Sequence, residues 1–134
     1  MISDPDARLT DGIGIDLIEI ERLELALARR PGLADRLFHP GELAYAGSRR
    51  RPGPHLAARF AAKEAALKAL GIGGLGLREV EVEGGDRQRP RLRLHGRAAE
   101  AAARLGVTLA VSLTHSRGMA GAVVLARPVS DTDR

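Results

Sequence analysis

Lys63, Glu64 and Lys68 are the residues whose types and spacing could do chemistry in this chain. They stand in the segment Arg59-Phe60-Ala61-Ala62-Lys63-Glu64-Ala65-Ala66-Leu67-Lys68-Ala69-Leu70-Gly71, and Lys63 and Lys68 are the only lysines beside 19 arginines. An ammonium is a compact point charge that can also give up a proton, so two of them flanking one carboxylate suit the handling of an anion. A second carboxylate, Asp16, follows Gly12-Ile13-Gly14-Ile15. Two carboxylates from separate elements are the smallest ligand set for Mg²⁺, which keeps several waters and takes one or two protein carboxylates together with substrate phosphates. With the two lysines, the glycines from Gly71 onward and His115, they would make a site suited to a phosphorylated nucleotide.

Each of these residues also has a plainer reading. Glu64 and Lys68 are spaced as an i, i+4 pair, which contributes about 0.2–0.5 kcal/mol on an exposed helix edge. Asp16 could cap the helix that follows it. The run Gly71, Gly73, Gly74, Gly76 could simply stop a helix, and it lacks the lysine and hydroxyl of a P-loop. A lone His115 beside a turn is often structural, and Arg49, Arg50 and Arg51 read as a solvated charge run.

The elements that must position these residues follow from periodicity. Pro54 to Leu70 is a run of strong helix formers, with Pro54 suited to the first turn and Gly71 to the position past the end. Around that helix Leu56, Phe60, Leu67 and Leu70 form one stripe, and Ala58, Ala62, Ala65, Ala66 and Ala69 a nearly opposite face of methyl groups. A helix apolar on two sides is expected to be buried. Lys63 and Glu64 would then carry charge into apolar surroundings, which costs several kcal/mol unless a partner neutralises it.

Gly12 to Leu17 alternates strictly, with Ile13, Ile15 and Leu17 on one face, so it reads as a strand whose glycines admit a close approach by backbone or ligand. Glu19 to Arg30 is an amphipathic helix ended by Pro31-Gly32, and Leu33–Phe38 and Pro40–Ala46 are short helical pieces. Val80 and Val82 pair with Leu92 and Leu94 across Gly84-Gly85-Asp86 as a hairpin. Gly96 to Leu105 is an alanine-rich helix, and Val107–Thr114 and Met119–Ala126 are strands joined by a turn that begins at His115. Residues 1–10 and 128–134 read as tails around a single domain at 11–127.

At 134 residues, with two Phe, one Tyr and no Trp, the core must be built from small aliphatic side chains, and subunit association is one way to add burial. The absence of cysteine excludes disulfides, thiolate metal sites and thiol nucleophiles. No apolar run approaches a membrane span and residues 1–11 are too polar for a signal peptide, so a cytoplasmic protein is the expectation. The net charge of +4 points to an acidic partner. Scarce aromatics and the lack of a helix-turn-helix or zinc pattern argue against nucleic acid.

Gly12-Ile13-Gly14-Ile15-Asp16, then Arg59-Phe60-Ala61-Ala62-Lys63-Glu64-Ala65 with Lys68, then Ser112-Leu113-Thr114-His115-Ser116 resemble the signature segments of the holo-[acyl-carrier-protein] synthase family, the short type of 4'-phosphopantetheinyl transferase. The resemblance spans roughly residues 11 to 126 in the family's order and spacing. It implies an α+β fold with antiparallel sheet wrapped around a long central helix, in a homotrimer with interfacial sites. It further implies transfer of the phosphopantetheine arm of coenzyme A to a serine of apo acyl carrier protein, in fatty acid or polyketide synthesis. By this similarity Asp16 and Glu64 hold Mg²⁺, Lys68 contacts the pyrophosphate and protonates the leaving group, and Glu64 or a metal-bound water beside it takes the serine proton. Arg59, Lys63 and His115 match positions near the nucleotide and its phosphates, and Gly71 and Gly73 match the loop beside it. Arg22 matches a basic position that docks the acidic carrier, with Arg29 and Arg30 extending the patch. The chain departs from the family pattern at Ile72, where Thr is common, at Glu79-Val80-Glu81-Val82, where Asp-Ile-Glu-Val is frequent, and in its first ten residues. The competing expectations are a non-catalytic basic module for nucleotide or nucleic acid and a trimeric scaffold in which the two carboxylates only join subunits.

Overall fold

The computed structural model describes residues 12–74, 76–85 and 87–129. The expected N-terminal tail lies outside the described residues, as does the C-terminal tail beyond Val129. The element order is β1 (Ile13–Glu19), α1 (Ile20–Arg29), α2 (Leu33–Leu37), α3 (Pro40–Gly47), α4 (Pro52–Leu70), a 3-10 turn (Leu77–Glu79), β2 (Val80–Gly85), β3 (Gln88–Leu94), α5 (Gly96–Leu105), β4 (Val107–Ser116) and β5 (Met119–Pro128). The fold is α+β with antiparallel sheets: a three-stranded sheet in the order β1-β5-β4 and a separate β2-β3 hairpin. The last strand runs past the expected end of the domain. Pro128 pairs with Val107 and the Val129 N–H donates to Gly106 O at 2.8 Å.

Helix α4 begins two residues before the expected Pro54, because Pro52 occupies the first turn, where a missing N–H costs no hydrogen bond. It ends at Gly71, whose φ of 69° lies in the left-handed region that glycine adopts without a Cβ penalty. Arg51, just before it, does not sit free in a solvated loop. Its guanidinium makes two bonds to Glu24 of α1, at 2.7 and 3.0 Å, and Gly53 leaves the room that carboxylate needs.

As its two apolar faces require, α4 is buried along most of its length. Its alanines at 61, 62, 65, 66 and 69 join Val80, Val82, Ala98, Ala122 and Val124 in one core cluster. Alanine on both sides allows a close approach, and the closest is at Gly14. A Cβ placed there would fall 1.9 Å from the Ala65 carbonyl oxygen and 2.9 Å from the Ala69 nitrogen. Gly14 and Asp16 therefore face α4, which leaves Ile13, Ile15 and Leu17 turned outward and more than 60% exposed. Across the strand pair Ile13 lies opposite Leu125 and Ile15 opposite Val123, both also exposed, so the outer face of the β1–β5 pair carries an apolar patch.

The charge that Lys63 brings into the core is met by a residue that periodicity did not single out. Its ammonium is 0% exposed, donates to Glu42 Oε1 at 2.7 Å and to Val80 O at 2.6 Å, and sits 5.4 Å from the centre of the Phe38 ring. Glu42 also accepts from Val82 N–H at 2.9 Å and from His39 N–H at 2.7 Å. Burial pushes the Lys63 ammonium down from its ordinary pKa and the Glu42 carboxylate opposes that shift. The pair thereby fastens α3 and β2 to α4.

Two stability predictions follow from this packing. Gly14→Ala destabilises the chain by about 1–3 kcal/mol or more in urea unfolding, because the added methyl meets backbone that cannot turn away. Lys63→Met costs about 3–5 kcal/mol by leaving Glu42 buried and unpaired. The double variant Lys63→Met/Glu42→Leu recovers only part of that loss, since Val80 C=O and Val82 N–H each lose a partner at about 1–3 kcal/mol. Full recovery in the double variant would show that those backbone groups find other partners.

Candidate active site

On β1, Asp16 lies two residues beyond Gly14 on the face that meets α4, and on α4 Phe60, Glu64 and Lys68 share one stripe at i, i+4 spacing. The close approach at Gly14 brings these two rows together. Lys68 Nζ lies 3.2 Å from Asp16 Oδ1 and donates to Ile15 O at 3.1 Å. Lys68 therefore reaches across to the strand carboxylate rather than serving only as the helical partner of Glu64. Burial, and then the charge of Asp16, push the Glu64 carboxyl above its ordinary pKa, with Lys68 partly offsetting both. A carboxylate whose ionisation is opposed by a second one beside it is suited to a cation, and Asp16 and Glu64 are the residues that could hold one.

These three side chains line a groove of about 990 Å³ whose remaining walls are largely apolar, with Leu17, Ile18, Leu23, Leu37, Phe60 and Met119 among them. Arg22 also lines it, from the exposed side of α1, while Arg29 and Arg30 are exposed at the far end of that helix. The groove thus combines a charged wall able to engage phosphate with an apolar wall able to take an uncharged chain.

A second cluster forms at the start of α4. The His115 ring lies 5.3 Å from His55 and the His55 ring 5.8 Å from Tyr45, while the Arg49 and Arg59 guanidinium carbons stand 4.5 and 4.0 Å from the centre of the Tyr45 ring. Arg59 is buried and donates to Gly84 O at 2.8 Å, and burial lowers its pKa. Burial, then the charges of His115, Arg49 and Arg59, push His55 down from the ordinary histidine range. The two guanidinium groups give this end of α4 a positive charge that favours an anion.

Asp16, Glu64 and Lys68 are brought together, but His115 is not with them. It neighbours His55, nine residues before Glu64 on α4, a separation of about 13 Å along the helix. Lys63 is the clearest departure from the expected site. It stands on the His55–Arg59–Lys63 stripe, about 100° around the helix from Glu64, and its ammonium is enclosed by Glu42 and Val80 rather than open to a ligand. Gly71 is accounted for by the left-handed helix end, and Gly73 is exposed with open space where a side chain would go. Sequence reading missed Glu42, His55 and Tyr45. The position of His55 one turn before Arg59 was the available signal for it, whereas nothing local marks Glu42 as the partner of a lysine 21 residues away.

Residues 12–124 match the 4'-phosphopantetheinyl transferase superfamily. A holo-[acyl-carrier-protein] synthase of Streptomyces avermitilis is 54% identical over 117 residues, covering 86% of this chain and 95% of that one. The synthase of Moorella thermoacetica is 52% identical over 116 residues, covering 84% and 90%. Among solved structures, the holo-[acyl-carrier-protein] synthase of Helicobacter pylori in complex with coenzyme A superposes with a TM-score of 0.73 at 28% identity, covering 85% of this chain and 98% of that one. With the Asp16, Glu64 and Lys68 cluster held on the matched segment, the chain belongs to the holo-[acyl-carrier-protein] synthase family of 4'-phosphopantetheinyl transferases.

Proposed function

We propose that this enzyme transfers the 4'-phosphopantetheine arm of coenzyme A to a serine hydroxyl of an apo acyl carrier protein and releases adenosine 3',5'-bisphosphate. The observation that carries the reading is the meeting of Asp16, Glu64 and Lys68 on the charged wall of an apolar groove. Relatives named as synthases and a coenzyme A complex of one of them support it.

The facing carboxylates of Asp16 and Glu64 suit Mg²⁺, which when bound supplies positive charge against the pyrophosphate. The serine oxygen forms a bond to the phosphorus that carries pantetheine, and the bond from that phosphorus to the bridging oxygen breaks. Glu64, or a water beside it, accepts the serine proton. Lys68, steadied by Ile15 O and Asp16, neutralises the departing bisphosphate and returns a proton to it. The apolar wall takes the uncharged pantetheine arm, and the loop at Gly71 and Gly73 lies beside the nucleotide. Arg22, Arg29 and Arg30 meet the acidic carrier, which the positive net charge favours.

The working form is a homotrimer, with the antiparallel sheet of each subunit wrapped around α4 and the exposed face of Ile13, Ile15, Leu17, Val123 and Leu125 covered by its neighbours. Such an assembly lets the His115, His55 and Arg59 cluster of one subunit serve the nucleotide bound at the carboxylates of another. This answers the separation of His115 from Glu64 within one chain. Lys63 holds α4 in place and is not assigned a ligand contact. The reaction serves fatty acid or polyketide synthesis in the cytoplasm. Among the described residues no helix is long and apolar enough to cross a membrane.

The direct test is the intact mass of an apo acyl carrier protein incubated with this enzyme, coenzyme A and Mg²⁺. A gain of one phosphopantetheine arm, lost with a chelator, is expected. Asp16→Ala and Glu64→Ala each reduce the rate by at least about a hundredfold with the circular dichroism spectrum unchanged. Unaltered turnover in either variant would remove that residue from the mechanism.

The environment of Glu64 also sets a pH dependence. A carboxyl whose pKa is higher in the folded than in the unfolded chain binds its proton more tightly when folded. Its ionised form therefore costs stability above the folded value, and that cost fades as pH falls through it. Without metal, Glu64→Gln raises Tm at neutral pH and leaves it unchanged near about pH 4, where the unfolded carboxyl also takes up its proton. An equal shift at both pH values in thermal unfolding would assign the effect to something other than ionisation.

A further inference from the structure

His39, Glu81 and His95 converge from three elements on a point that the transfer reaction does not use. His39 precedes α3, Glu81 lies on β2 and His95 precedes α5, and one ligand atom from each lies within 4.8 Å of the other two. We propose that these residues form a binding site for a divalent transition metal ion of the zinc type, separate from the Asp16 and Glu64 pair.

The donor set comes first. Two imidazoles and one carboxylate select zinc, cobalt or nickel over Mg²⁺, which prefers oxygen. The separations fit as well. Glu81 Oε1 lies 2.9 Å from His95 Nε2 and 3.8 Å from His39 Nδ1. Bonds of about 2.0–2.2 Å in a tetrahedral arrangement put neighbouring ligand atoms roughly 3.4 Å apart, between those two values. The rings of His39 and His95 stack with centres 4.9 Å apart and planes 28° from parallel, so a small tilt of either ring adjusts the third separation.

The tautomer of His39 gives an independent reason. Its Nε2 lies 2.5 Å from the Arg78 carbonyl oxygen, which can only accept, so Nε2 carries the hydrogen. In the neutral ring Nδ1 then presents a lone pair toward the Glu81 carboxylate, two acceptors facing each other with no hydrogen between them. A cation resolves that arrangement. A ring N–H donated to a backbone carbonyl is also how metal-bound histidines are commonly oriented.

Arg93 faces Glu81 across the hairpin, yet its guanidinium lies 3.6 Å from Glu83, which offsets part of its charge. All three candidate ligands are half-buried, so water can complete a fourth position. A bound ion would tie the starts of α3 and α5 to β2, beside the Glu42 and Lys63 pair. The site therefore acts on the fold, and its presence does not depend on the transfer reaction.

The test is equilibrium dialysis of the full chain against Zn²⁺ with Mg²⁺ in excess, so that the Asp16 and Glu64 pair is saturated. One Zn²⁺ per chain is expected, with Tm rising as Zn²⁺ is added. Co²⁺ in its place gives the visible absorption of a tetrahedral ion. His95→Gln and Glu81→Gln each weaken Zn²⁺ binding by more than about a hundredfold, beyond the loss that follows removal of an outer partner, and Asp16→Ala leaves it unchanged. Long-range proton–nitrogen NMR of the unaltered chain places the metal-dependent shifts on His39 Nδ1 and His95 Nε2, a readout that needs no variant to fold. Absence of Zn²⁺ binding, binding unaltered in both variants, or metal-dependent shifts on other histidines would overturn the site.

Discussion

The contact on which the structure depends is the approach of Gly14 to the backbone of α4 at Ala65. Strand and helix can come this close because neither side brings a larger side chain to the place: glycine on β1, alanine on α4, and alanines again at 120, 122 and 126 on the neighbouring strand. The short distance is what turns a strand carboxylate and a helix carboxylate into one site. Asp16 is short, and a β1 held a few ångströms farther away would leave it out of reach of Lys68. The same contact fixes the facing of the strand, since a residue at position 14 that points inward sends Ile13, Ile15 and Leu17 outward.

Helix α4 serves two sites with one regular spacing. Phe60, Glu64 and Lys68 fall on the groove, and His55, Arg59 and Lys63 fall on the side of α3 and β2. The two stripes are adjacent in sequence and about 100° apart in space, so neighbouring charged residues have unlike fates. Lys63 is enclosed and its charge is spent on holding α3 and β2, whereas Lys68 stays at the groove with Asp16 and Ile15 as partners. Fixing α4 through Lys63 in turn fixes Glu64, the residue that follows it.

The small core and the exposed sheet face are two aspects of one constraint. A chain this poor in aromatics buries little area per residue, and here a whole row of branched aliphatic side chains remains outside. With these side chains outward, Asp16 faces inward and β1 forms part of the wall of the groove. His115, on β4 at the opposite edge of the sheet from β1, stands with His55 rather than with Glu64.

Much of the fold was legible from residue types alone, and the reason is local. The helices, the hairpin and the terminal strand pair follow from periodicity and from proline and glycine at their ends, which act within a few residues. The pairing of Asp16 with Glu64 was suggested by residue type and supported by the family resemblance, and the glycines explain it physically once the helix is seen to lie against them. Glu42 was not legible, because a buried carboxylate is identified by the lysine it meets and that lysine arrives from another element. That Lys63 needs a partner was legible from its place on an apolar helix, but not that Glu42 would be the one, since that residue comes from another element. The sequence by itself therefore determined the elements, the family and the candidate carboxylates. Only the tertiary structure decided which charges would be enclosed, which would line the groove and which histidines would meet, because those outcomes depend on distances between segments far apart in the chain.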